Sequence, residues 1–348
     1  MGQRIIEFDY LRGLAIVYIV LGHSIANSGN GFPELLENLI RGGTGVFVFV
    51  SGFFFHRVFY PRFQYQNFMS KKFVNVAIPF FVVSLIGLVI QSVDLAWLHD
   101  KTASEIMQAN WATVQNGFVL FPHWYIPFIM LTFALSPLHM AYIRLSAGWQ
   151  LGLFLLSCAI SIVLQRPEEN INVLHSVIYF SPFYLLGILY SAQQQSFEQH
   201  AGTIRLLCWL AVIIGALMQT YVDHHLGNYH KDFFVWKGLD WQFVQKIGIS
   251  LLLLDFCRWM IGKPGAGHLQ HLANISFPIF FLHPIIAVIT GSAIWYCSTY
   301  LGLTIPRTMG WGLFFTLAFY LLFMYGTVLM VHGVKAMLGE RSRWVMGW

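Results

Sequence analysis

The chain has 348 residues, of which 57% are hydrophobic and only 10% charged, and its mean hydropathy is +0.62. Those proportions exclude a soluble globular domain and a disordered chain, both of which need far more charge. The formal net charge of +5 is small and its cations are dispersed among short loops, which excludes a nucleic-acid-binding strip.

About ten stretches are predicted to span a bilayer: residues 11–28, 44–59, 73–93, 124–143, 149–164, 173–191, 204–221, 241–261, 272–297 and 308–335. The expected fold is an all-α integral membrane protein, a single bundle and a single domain over 1–348. Neither a repeat nor a low-complexity linker divides it.

The first stretch, FDYLRGLAIVYIVLGHS, carries Arg12 and His23. Their spacing is close to three helical turns, so both occupy one helix face, about 16 Å apart along the axis. Ionisable residues at membrane depth are costly and point to a pathway or a site. A long ligand with an anionic head and a reactive far end would suit the pair. The alternative is that Arg12 marks the cytoplasmic edge while His23 snorkels to the other side. Glu7, Asp9 and Arg12 crowd the start of the apolar run and no small-x-small site follows it, so the segment is expected to be retained rather than cleaved as a secretory signal.

Glu34 and Glu37 follow in a loop, where they would contact an acceptor or simply be solvated. Gly42-Gly43-Thr44-Gly45 lacks the lysine and the preceding strand of a phosphate-binding loop and reads as a chain break. In the second stretch Ser51 precedes Gly52, a pair able to bond a ligand or to let helices approach closely. Lys71 and Lys72 enter the third. His123, Trp124 and Tyr125 open the fourth, as an aromatic belt or as a stacking surface for a sugar ring.

Asp223, His224, His225 and His230 cluster in a later loop, but without the helical i, i+4 spacing of common zinc sites, and no metal is expected. Lys246 and Asp255 charge the eighth stretch. His283 stands beside Pro284 in the ninth, lining a cavity or bonding a carbonyl freed by the proline. The cysteines, Cys158, Cys208, Cys257 and Cys297, have neither close pairing nor C-x-x-C spacing and read as packing residues.

Loop charge orients the bundle. With the N-terminus inside, Arg4, Arg57, Arg62, Lys71, Lys72, Arg144, Arg205, Arg258, Lys263, Lys335, Arg341 and Arg343 are cytoplasmic, against Arg41, Lys101, Arg166, Lys231, Lys237 and Arg307 outside. A bias of about two to one favours an N-in, C-in arrangement.

Five segments in order resemble the membrane acyltransferase 3 family. They are Arg12 to His23 (R-x10-H), GVFVFVSGFFF from Gly45, KKFVNVAIPFF from Lys71, HWYIPFIM from His123 and ISFPIFFLHPII from Ile275. The resemblance implies transfer of an acyl group, usually acetyl, from cytoplasmic acyl-CoA to a hydroxyl of an exopolysaccharide or other surface glycan. It implies a bacterial inner-membrane location and no permanently bound cofactor. The lipid bilayer and polysaccharide assembly proteins are the expected partners.

On this reading Arg12, Lys71 and Lys72 meet the CoA phosphates, and His23 is the catalytic base or acyl carrier, since an unperturbed imidazole titrates near 6.5. A pairing of Arg12 with Asp9 is the structural alternative. The family's R-x-x-R pair before the third helix is here Lys72 and Asn75, which removes the planar guanidinium fork. A glycan or lipid-linked intermediate flippase, or a scaffold of a synthase complex, would share the helix count without needing the Arg12 and His23 face.

Overall fold

The computed structural model describes residues 5–348; Arg4 lies outside them. In chain order the helices are α1 Ile6–His23, α2 Glu34–Ile40, α3 Thr44–Phe54, α4 Tyr65–Lys72, α5 Ile78–Trp97, α6 Ala103–Gln115, α7 Tyr125–Ala134 and α8 Ser136–Ile143. They continue with α9 Ala147–Leu164, α10 Val173–Ala192, α11 Gln194–Gln199, α12 Ala201–Leu217, α13 Trp241–Trp259, α14 Ala266–Leu301, α15 Met309–Leu338 and α16 Ser342–Met346. Short π-helical turns follow α3, precede α5 and extend α12.

Among the described residues, seven helical stretches are long and apolar enough to cross a membrane, or eight if the pair Phe121–Ala134 and Ser136–Ile143 is one span. That pair bends by 54° at a break, where Pro137 enters α8 and cannot supply a backbone N–H. Two of the expected spans fall short of that apolarity because each carries three charges. They are α1 with Glu7, Asp9 and Arg12, and α13 with Lys246, Asp255 and Arg258.

The first span also shifts: α1 ends at His23 rather than at residue 28. The reason is local. Asn27, Gly29 and Gly31 all adopt positive φ (55°, 67° and 135°), which a continuing helix cannot accommodate.

The chain folds into two compact units, each discontinuous in sequence. The first comprises the described residues to Gly22, Pro33–Met69 and Leu131–Asn274. Its centre is the crossing of α3 and α10, where backbones nearly touch. A Cβ placed on Gly52 would lie 2.0 Å from the Tyr184 carbonyl oxygen, and one on Gly187 would lie 2.1 Å from that of Phe49. Only glycine permits such an approach. Phe8 stacks on Phe53, with ring centroids 3.4 Å apart, and this cluster, with Phe49 and Tyr190, fills the interior.

Polar groups are buried in the same unit, and several of them form one hydrogen-bonded network. Lys246, 2% exposed, donates to the carbonyls of Asn38 and Leu39 (3.1 and 2.8 Å) and contacts the Tyr18 hydroxyl (3.0 Å). It thereby terminates α2, whose last carbonyls have no helical partner. Asn38 continues the network to Thr220 (2.9 Å) and Gln219 (3.0 Å). Apolar side chains point outward instead, as on α12, where Leu206, Leu210, Ile213 and Leu217 are exposed. A polar interior with an apolar outer face is the arrangement a bilayer favours.

The second unit comprises His23–Phe32, Ser70–Met130 and Ile275–Trp348. It contains α5, α6, most of α14, α15 and α16. The C-terminal helix α16 packs on α5 and on the turn before it. At the other end of α5, Asp94 accepts from Ser292 of α14 (2.5 Å) and His99 stacks on Trp295 (4.4 Å). The chain leaving α1 lies against the start of α15. Ala26 N–H donates to Thr316 Oγ1 (2.9 Å) and Asn27 Nδ2 to the Pro306 carbonyl (2.8 Å).

Candidate active site: an imidazole pair

His23 is the last residue of α1 and is exposed. Within the second unit its Nδ1 lies 3.0 Å from Nε2 of His283. The two ring planes are 6° apart with centroids at 5.3 Å, so the imidazoles meet end to end rather than face to face. Phe121 presents its ring at 90° to His23, with centroids 4.8 Å apart.

The tautomers follow from the partners. His283 is fully buried, and its Nδ1 lies 2.8 Å from the Ile279 carbonyl oxygen, which only accepts. Nδ1 of His283 therefore carries the proton and Nε2 carries a lone pair. That lone pair accepts the Nδ1–H of His23. In neutral His23 the basic atom is consequently Nε2. Of the two roles open to His283 in the sequence, the local backbone bond is present, one position before the Phe280 carbonyl that Pro284 leaves without a helical donor. The bond to His23 is an addition that sequence reasoning missed.

His123 is also fully buried. Its Nε2 donates to the Phe281 carbonyl (3.2 Å), and its Nδ1 has no hydrogen-bond partner among the described residues. Trp124 and Tyr125 are 9% and 7% exposed, and Tyr125 packs edge-on against Phe280 (5.4 Å). All three are buried rather than exposed in an aromatic belt; His123 and Tyr125 pack against α14, and Trp124 packs against Phe128 of α7. The short 3-10 turn Phe121–Trp124, with Pro122 near its start, turns them inward.

Lys71 and Lys72 close α4 in the same unit, Lys71 exposed and Lys72 half-buried. Arg12, Ser51 and Glu34 belong to the first unit. There Arg12 Nη2 lies 3.4 Å from Asp9 Oδ1, the i, i+3 pairing its spacing allows. Next to it Gly13 lets α1 approach α14, since a Cβ at this position would sit 2.4 Å from the Leu269 carbonyl oxygen. Ser51 precedes the Gly52 crossing, and Glu34 is an exposed first residue of α2. Glu37, fully buried, is held by Arg41 at 2.6 Å.

Two histidines of the later loop, His225 and His230, contact protein groups. His225 stacks on Tyr229 (3.9 Å), and His230 Nδ1 donates to the Pro167 carbonyl (2.7 Å). That bond supports a short parallel pairing of Arg166–Pro167 with His230–Lys231.

Fold and site together define a multi-pass helical membrane protein with a coupled imidazole pair. The acyltransferase 3 family model, described as an acyltransferase domain, matches residues 5–331. The chain belongs to that family, and it is a membrane acyltransferase. Neither a curated protein nor a solved structure matches it.

Proposed function

We propose that the chain moves an acetyl group from cytoplasmic acetyl-CoA to a hydroxyl of an exopolysaccharide or related surface glycan in a bacterial inner membrane. The observation that carries this reading is the hydrogen bond from His23 Nδ1–H to His283 Nε2. It orients His23 and leaves Nε2 as the base, the task a carboxylate performs in a catalytic triad.

Nε2 of His23 takes the proton of the acceptor hydroxyl as its oxygen attacks the thioester carbonyl. The new C–O bond forms, the C–S bond breaks, and the proton passes from His23 to the departing CoA thiolate. While His23 is an imidazolium, His283 continues to accept from its Nδ1 and so stabilises the developing charge. Phe121 shields the ring from one side.

The donor's phosphates belong with Arg12, Lys71 and Lys72, in the N-in, C-in topology of about ten spans that loop charge favours. The acceptor enters from the opposite face, where Glu34 lies in this topology. Ser51 is assigned to the cavity wall. Acyl-CoA turnover by purified protein tests the reaction directly. His23→Ala is expected to abolish glycan acylation at normal protein level. Wild-type acylation in a strain carrying only His23→Ala would overturn the assignment.

A further inference from the structure

The turn that enters α5 offers lysines at 71 and 72 and a neutral asparagine at 75, with no guanidinium among them. The fold brings one from elsewhere. Arg343, in the C-terminal helix α16, donates from Nε to Asn75 Oδ1 at 2.8 Å. The tail is seated to hold it there. Gly347 adopts φ +75°, and a Cβ on it would come within 2.9 Å of the Asn75 carbonyl oxygen and 3.1 Å of Phe277. Lys335 Nζ sits 5.0 Å over the ring of Trp348, and the Ser342 hydroxyl reaches the Trp348 carbonyl (2.5 Å).

An arginine bound through a carboxylate has its charge cancelled by that partner. Arg343 is instead held by an uncharged amide. It is exposed, and among the described residues no carboxylate pairs with it. Its Nη groups form no hydrogen bond among the described residues, so the full charge and the fork that grips phosphate remain available. Lys71 and Arg341 are exposed nearby in sequence, and Glu340, the acid of this tail, lies 4.0 Å from Lys335. Along α14, Phe277 marks the level of this cluster. His283 follows six residues later, about 9 Å further along the axis.

We propose that Arg343 is a phosphate-binding residue for the acyl-CoA donor, positioned by Asn75. The assignment rests on the donor reading given above. It places a ligand contact in the segment after residue 331, beyond the family match.

The test is binding of CoA and of 3′-dephospho-CoA to the purified full chain by calorimetry, with thermal unfolding of each variant measured in parallel. Arg343→Ala is expected to weaken CoA by roughly 10- to 100-fold, the loss of one charge-assisted contact. Asn75→Asp is the sharper variant. Its carboxylate still accepts from Arg343, so a bracing role would be kept or strengthened, yet it cancels the charge, so CoA affinity should fall with no loss of thermal stability. Wild-type CoA affinity in both variants would overturn the assignment while leaving the donor reading intact. No CoA binding by the wild-type chain would overturn the donor reading and this assignment with it. If Arg343→Ala reduces co-purified anionic phospholipid and leaves CoA affinity unchanged, the contact belongs to a lipid headgroup and the proposal fails.

Discussion

Replacing His283 by alanine removes the acceptor of the His23 Nδ1–H while leaving His23 itself in place. The bond is 3.0 Å long and its partner is fully buried. Its strength matters most when His23 becomes an imidazolium, because hydrogen bonds to charged groups contribute about 1.5–3 kcal/mol. At about 1.36 kcal/mol per factor of ten, that predicts a fall in kcat/KM of about 10- to 150-fold. The loss should appear in kcat, since the interaction strengthens as charge develops and not on donor binding. His283→Gln retains a side-chain carbonyl oxygen that can accept from His23 and should recover part of the rate. The assay is release of CoA thiol by purified protein over a range of acetyl-CoA concentrations, with unfolding temperature as a control. A His283→Ala variant of normal stability with unchanged kcat would refute the tautomer argument, as would a His283→Gln variant no faster than alanine.

The crossing of α3 and α10 gives a stability prediction. C···O contacts normally stay near 3.3–3.6 Å, so the 2.0 Å approach at Gly52 forces the helices apart in Gly52→Ala. Overpacking of this kind costs about 1–3 kcal/mol or more; the unfolding temperature in detergent should fall, while Gly152→Ala, with open space at its Cβ, should not change it. Acid should loosen the loop around His230, whose pKa is pushed down to about 4 by burial, with neighbouring Arg166 adding to the effect. A depressed histidine stabilises the fold above its unfolded value near 6.5 and loses that contribution as pH falls towards 4. Hydrogen-exchange protection factors at 229–237, corrected for the intrinsic exchange rate at each pH, should therefore fall from pH 7 to pH 5, and equal protection at both would contradict it.

Long apolar runs made α10 and α15 legible, because length and apolar composition are local properties. The end of α1 was not, since apolar residues continue past His23 through Ile25 and Ala26, and the positive φ at Asn27 breaks the helix. The bend within 124–143 follows from Pro137, a local signal that a run of apolar residues masks. Lys246 stood out in the sequence only as a charge within the eighth apolar stretch. Its use as a helix terminator depends on Asn38 and Leu39, more than 200 residues earlier, and periodicity carries no such information. For the site, Arg12 and His23 stood out because charge is rare in apolar helices. The bond from His23 to His283 joins residues 260 apart in sequence, and the Arg343 to Asn75 contact joins residues 268 apart. Neither leaves a trace in local spacing.

The dependence of α2 on Lys246 also sets an order of events during synthesis. Asn38 and Lys246 are 208 residues apart, and ribosomes add about 5–20 residues per second, so roughly 10–40 s pass between their emergence. Over that interval α2 has been made, but its terminal carbonyls await the ammonium that will bond them. Thr220 and Gln219, which hold Asn38, arrive only slightly earlier than Lys246. The segment between the first and third helices is thus a late-maturing part of the newborn chain. A ribosome stalled before residue 241 would leave it open to protease, and one released after residue 259 would find it closed.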